Sequence, residues 1–143
     1  MKKAIVLILI AIVAVSSAFA FRFVSVGIET GNGLLASVDM EVADNFDVYA
    51  RLGYTGLFNI SGGAQYKVGE FKLGKTPVAV KPGAQMNFNF TSEAFLFELL
   101  ATCQFSFDAG SLTGFLRPGL GLAAAKNYSS FIWAVETGVA YLF

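Results

Sequence analysis

The sequence predicts an all-β fold: eight antiparallel strands closed up-and-down into a transmembrane barrel, preceded by a cleavable signal peptide. Three observations predict it. Alternation of apolar and polar residues with period 2 persists beyond residue 21, where no helical period survives. Clusters of Gly, Asn, Asp and Ser interrupt it at short intervals. The chain is 55% apolar and 14% charged, whereas a soluble domain carries about a quarter charged residues.

The leader comes first. Lys2 and Lys3 precede an unbroken apolar run over residues 4–15, then Ser16, Ser17 and the small-aromatic-small triplet Ala18, Phe19, Ala20. That is the charged, apolar and cleavage-site order of a secretory signal peptide, in a run too short for a spanning helix of about 20 residues. Residues 1–20 are read as the signal peptide and 21–143 as the barrel. Without Lys2 and Lys3, eight basic residues face ten acidic ones, a formal charge of −2, which excludes a strongly basic nucleic-acid binder.

Eight runs follow, over about 22–29, 34–42, 46–55, 58–68, 76–90, 94–107, 112–123 and 131–143. The intervening turn signals include Gly31-Asn32-Gly33, Asp44-Asn45, Asp108-Ala109-Gly110 and a longer one over 126–130. The patch 69–75 breaks alternation and reads as a long turn or a bulged strand extension. One face of every run is free of charge, while the other holds Glu29 and a predicted charge network of Asp39, Glu41, Asp47, Arg51, Lys67, Lys81, Glu98, Arg117 and Glu136. Between these charges the polar face is read as Ser, Asn, Gln, Gly and Ala.

Alternation alone does not say which face is inside. The small residues of the polar face suit a narrow lumen. The aromatic residues of the apolar face fall at strand ends: Tyr54, Phe58, Phe88, Phe90, Phe95, Phe97, Phe131 and Trp133 towards one rim, Phe46, Tyr66, Phe105, Phe107, Tyr141 and Phe143 towards the other. Two interfacial girdles around a membrane barrel produce this pattern, and a closed apolar cavity does not. Eight spans of about 9–11 residues also fit the available length, whereas ten would leave almost nothing for turns.

The last run carries Val135, Val139, Tyr141 and a terminal Phe143 at alternate positions. In this it resembles the C-terminal strand signal of bacterial outer-membrane β-barrels, which the barrel-assembly machinery recognises in that class. With the leader, strand number and length, the chain resembles the small eight-stranded members, OmpX and the transmembrane domain of OmpA among them. The resemblance implies an outer-membrane location, lipid as the surrounding partner, the assembly machinery as a partner in biogenesis, and a monomer. The chain lacks the long loops of those relatives and the additional peptidoglycan-binding domain of OmpA, which argues against adhesion or receptor roles.

For the lumen two readings stand. In one, ion pairs plug it: Glu41 faces Asp47 with Lys67 diagonal to them, Asp39 lies diagonal to Arg51, and Arg117 neighbours Glu136. In the other, the charges line a narrow pore, with room left by Gly63, Gly83, Gly119, Gly121, Gly138 and Ala134. A soluble lipid-binding barrel, with the faces inverted, is the rival from another class. The chain has no histidine, so His-based nucleophiles and His-ligated metals are unavailable; no enzyme, metal or cofactor is expected. Cys103, the sole cysteine, is read as an outward packing residue.

Overall fold

A computed structural model describes residues 23–55, 58–90 and 95–142. The expected leader, Phe143 and two connections lie outside the described residues. The strands are β1 (Phe23–Glu29), β2 (Gly33–Ala43), β3 (Phe46–Tyr54), β4 (Phe58–Tyr66), β5 (Gly69–Leu73), β6 (Thr76–Phe90), β7 (Phe95–Ala109), β8 (Leu112–Ala125) and β9 (Tyr128–Leu142). All pairings are antiparallel between chain neighbours, apart from β4 with β6 and the closing pair β1 with β9.

Nine strands make eight staves because β4 and β5 share one. Residues 59–65 pair with the upper part of β6 and residues 69–73 with its lower part, offset by one residue across Lys67 and Val68. The patch that breaks alternation is therefore a bulged strand extension and not a long turn. Gly74 closes it with φ 66, the conformation a glycine supplies at the head of a two-residue hairpin turn. At 126–130 the turn is only two residues long, since Ala125 pairs with Tyr128. Pro118 falls where the β7–β8 ladder is interrupted between Thr102↔Gly119 and Phe105↔Leu116, consistent with its missing N–H.

The register fixes the shape. Paired positions lead round the barrel from Ser25 through Ser37, Arg51, Ser61, Asn87, Glu98, Ala123 and Ser130. The β9–β1 register then returns this line to the first stave displaced along it, a stagger of about ten residues that tilts the strands by about 40°. At that tilt the two groups of aromatic residues form bands roughly 22 Å apart along the axis, close to the apolar height of about 25 Å in membrane barrels. The upper rim is uneven. β1 ends at Glu29, whereas β9 continues above it from Val135 to Tyr128 with no described strand on that side.

Packing is inverted relative to a soluble protein. Arg51, Gln85, Asn87 and Glu136 are at most 2% exposed, while Phe131, Trp133 and Val26 are more than 60% exposed. The apolar face points out and the polar face in.

Candidate functional site

A cluster that no single hairpin could assemble spans the lumen midway. Arg51 on β3 crosses the interior to bond Glu136 on β9, lies 3.7 Å from Glu29 on β1, and donates from Nε to Ser61 (3.1 Å) and from Nη2 to Asn87 (3.4 Å). Arg117 on β8 donates to the same Glu136 carboxylate at 2.7 Å and to Gln104 Oε1 at 3.0 Å from Nε, with a second bond from Nη2. Its guanidinium lies 4.2 Å from the centre of the Tyr49 ring, a cation–π contact. Two guanidinium groups and two carboxylates balance, as buried charges require.

Amides extend the cluster. Gln85 donates to Glu29 (2.9 Å) and to Asn87 (2.8 Å), and accepts from the Tyr49 hydroxyl (3.3 Å). Asn87 donates to Glu98 at 2.8 Å, and Asn32 to Glu29 at 3.1 Å. Most of the buried polar atoms thus find partners; among the described residues Asn59 Oδ1 and Gln65 Oε1 do not.

The structure brings together Arg51, Glu98, Arg117 and Glu136 from the predicted network, and Arg117 pairs with Glu136 in register. It separates the others. Asp47 binds Lys81 at 2.6 Å, and Lys67 binds Glu70 on the exposed rim instead of Asp47. The bulge at 67–68 leaves Lys67 on the lumen side but changes the parity of the residues after it, so that Glu70 stands opposite Ala79 and reaches Lys67. Glu41 does face Asp47 in register but is exposed, and Asp39 accepts from Ser37 at 3.3 Å and not from Arg51. Glu29 belongs at the centre although only its polar-face position was read from sequence. So do Tyr49, Gln85, Asn87 and Gln104, all on lumen parity. The lumen also takes large apolar groups, Leu35, Leu100 and Phe115, where small polar residues were expected.

Two of the inward glycines stand against aromatic side chains. A Cβ on Gly63 would strike the Tyr49 hydroxyl, and one on Gly138 would lie 2.8 Å from Phe115 Cζ. Gly63 and Gly138 thus make room in the lumen for Tyr49 and Phe115. Below the cluster, at the rim bearing the turns at 44–45, 74–75 and 110–111, a polar cavity of about 200 Å³ remains, lined by Asp39, Glu41, Asp47, Glu70 and Asp108 against Lys67 and Lys81. Among the described residues no group of His, Cys, Asp or Glu is arranged to hold a metal.

Outside, the upper aromatic band holds the pair Tyr54–Phe58 (5.2 Å between ring centres) and the group Phe88, Phe90, Phe95 and Phe97, in contact at 5.5 to 5.9 Å. Phe131 and Trp133 continue it on β9. Phe46, Tyr66, Phe105, Phe107 and Tyr141 occupy the lower band, with Phe71 against Phe105 at 6.4 Å. Of the strand-signal residues, Val139 and Tyr141 point outward and are exposed, and Val135 is half-buried.

Comparison with known proteins gives little company. No family model matches the chain and no curated protein matches it. A solved structure from work on the de novo design of transmembrane β-barrels is similar, with a TM-score of 0.44 at 15% identity, covering 86% of this chain and 93% of that one.

Proposed function

We propose that the protein is an integral outer-membrane barrel, monomeric and non-enzymatic, with a structural or envelope-related role and a lumen closed by ion pairs. The observation that carries this is the inversion of polarity. Lipid offers no hydrogen bonds, so a spanning sheet must close on itself and turn its apolar face outward. The closed β1–β9 pairing and the exposed apolar exterior between two aromatic bands meet both demands. A soluble lipid carrier needs the opposite arrangement. Lipid is then the surrounding partner, and Val135, Val139, Tyr141 and Phe143 form the proposed signal for the assembly machinery.

A narrow pore is the second reading, favoured by the polar cavity that enters from one rim. To conduct, the Arg51, Arg117 and Glu136 cluster would have to part. Gel mobility with and without boiling, on cell fractions and on protein folded in detergent, tests the first reading. A heat-dependent shift confined to outer-membrane material is expected. Recovery from the soluble periplasm without detergent would overturn it.

A further inference from the structure

Of the eight seams in this barrel, the one between β1 and β9 joins the first and last of the described strands, and four features come together there. β1 is seven residues long against fifteen for β9. In the ladder Gly27 stands opposite Gly138, so a pair of residues without side chains occupies the middle of the seam and adds no cross-strand contact. Above Val135 the seam ends. Thr30 N–H donates to the Val135 carbonyl at 3.0 Å, and the Val135 N–H turns to the Thr30 hydroxyl instead of a strand carbonyl, also at 3.0 Å.

The fourth feature is electrostatic. Glu29 and Glu136 are directly opposite one another across the seam, both buried at 3% exposure or less. Like charges in that position push strands apart, and between buried carboxylates the repulsion is little screened. Arg51 is the cation shared by both carboxylates: it bonds Glu136 and lies 3.7 Å from Glu29. Arg117 bonds Glu136 from β8, and its other hydrogen bonds go to Gln104. On the β1 side Gln85 and Asn32 donate to Glu29, but neither brings charge.

We propose that the β1–β9 seam is the line along which this barrel opens, and that Arg51 is its latch, reaching from β3 to hold Glu29 and Glu136 together. Parting the seam would expose two strand edges, a surface that accepts an extended segment by strand addition. The latch concerns closure of the barrel and stands whether or not the lumen conducts.

Amide hydrogen exchange on the detergent-folded protein tests it strand by strand. Arg51→Met is expected to raise exchange about tenfold or more over residues 24–29 and 137–141 while β6 and β7 keep their protection. Adding Glu29→Gln removes the repulsion and is expected to restore most of the seam's protection. Should Arg51→Met fail to fold, a disulfide supplies the missing latch. Val26→Cys with Val139→Cys, paired outward positions, in a Cys103→Ser background, is expected to let Arg51→Met fold when oxidised and to lose seam protection on reduction. Exchange rising first in β3 and β4, equal loss in every strand, no rescue by Glu29→Gln, or a cross-linked Arg51→Met chain that still does not fold would each overturn the proposal.

Discussion

Replacing Arg117 by methionine separates a plugged lumen from a conducting one, and its effect can be worked from the contacts. The guanidinium is 4% exposed, bonds Glu136 at 2.7 Å and Gln104 at 3.0 Å, and lies over Tyr49 at 4.2 Å. Removing one partner of a buried ion pair costs about 3–5 kcal/mol; Glu136 retains Arg51, which puts this loss near about 3 kcal/mol. Losing the cation over the ring adds about 1 kcal/mol, and the methionine stem keeps part of the packing. A total of about 4 kcal/mol, at a denaturant slope of about 2 kcal/mol per molar, moves the urea midpoint down by about 2 M. The assay is the fraction of heat-shifting band, or Trp133 fluorescence, against urea in detergent micelles. A midpoint that moves by less than about 0.5 M, while single-channel conductance rises or changes selectivity, would refute the plug and make Arg117 a pore constriction.

The remaining predictions follow from the same geometry. Lys81→Met breaks the half-buried pair with Asp47 and is expected to cost about 1–3 kcal/mol, whereas Lys67→Met, whose pair with Glu70 is exposed, is expected to cost under about 0.5 kcal/mol; urea titration of both distinguishes them. Gly63→Ala drives a methyl into the Tyr49 hydroxyl and is expected to lower stability by about 1–3 kcal/mol, measured the same way. Ala50→Arg, on the outward face midway between Phe46 and Tyr54, is expected to cost about 2–4 kcal/mol in bilayers and Tyr54→Arg, at the rim, under about 1 kcal/mol. Equal costs at the two depths would contradict a membrane around the barrel.

Much of the fold was legible because a strand's parity is local. Alternation placed Arg51, Arg117 and Glu136 on one face and Phe131 and Trp133 on the other without knowledge of the closure. A hairpin register was legible where its turn was, as with Glu41 opposite Asp47; about the last loop, read as five residues and in fact two, Arg117 and Glu136 were legible only as near-neighbours. Chords across the lumen were not. Arg51 meets Glu136 at a separation of 85 residues, and that meeting depends on the stagger with which the last strand returns to the first, a quantity no single turn encodes. Lys67 shows the second limit. One extra residue in the stave at 67–68 put Glu70 on the lumen side opposite Ala79, where it takes Lys67 in place of Asp47, because period 2 converts any insertion into a change of face for the residues that follow. Tyr49 and Phe115 show the third: their parity was inward, yet that face was read as Ser, Asn, Gln, Gly and Ala between its charges, and it was the glycines opposite them that made the space.

The central claim is that lipid surrounds this barrel, and Trp133, the sole tryptophan, reports on it directly. It is 65% exposed on the outward face within the upper aromatic band. Its fluorescence should be measured in bilayers whose lipids are brominated at different acyl depths. The account predicts strong quenching by lipids brominated near the headgroup, weaker quenching by those brominated near the bilayer centre, and none by an aqueous quencher kept out of the membrane. Emission that stays open to the aqueous quencher and indifferent to brominated lipid would show that Trp133 faces water, and the membrane barrel would have to be abandoned.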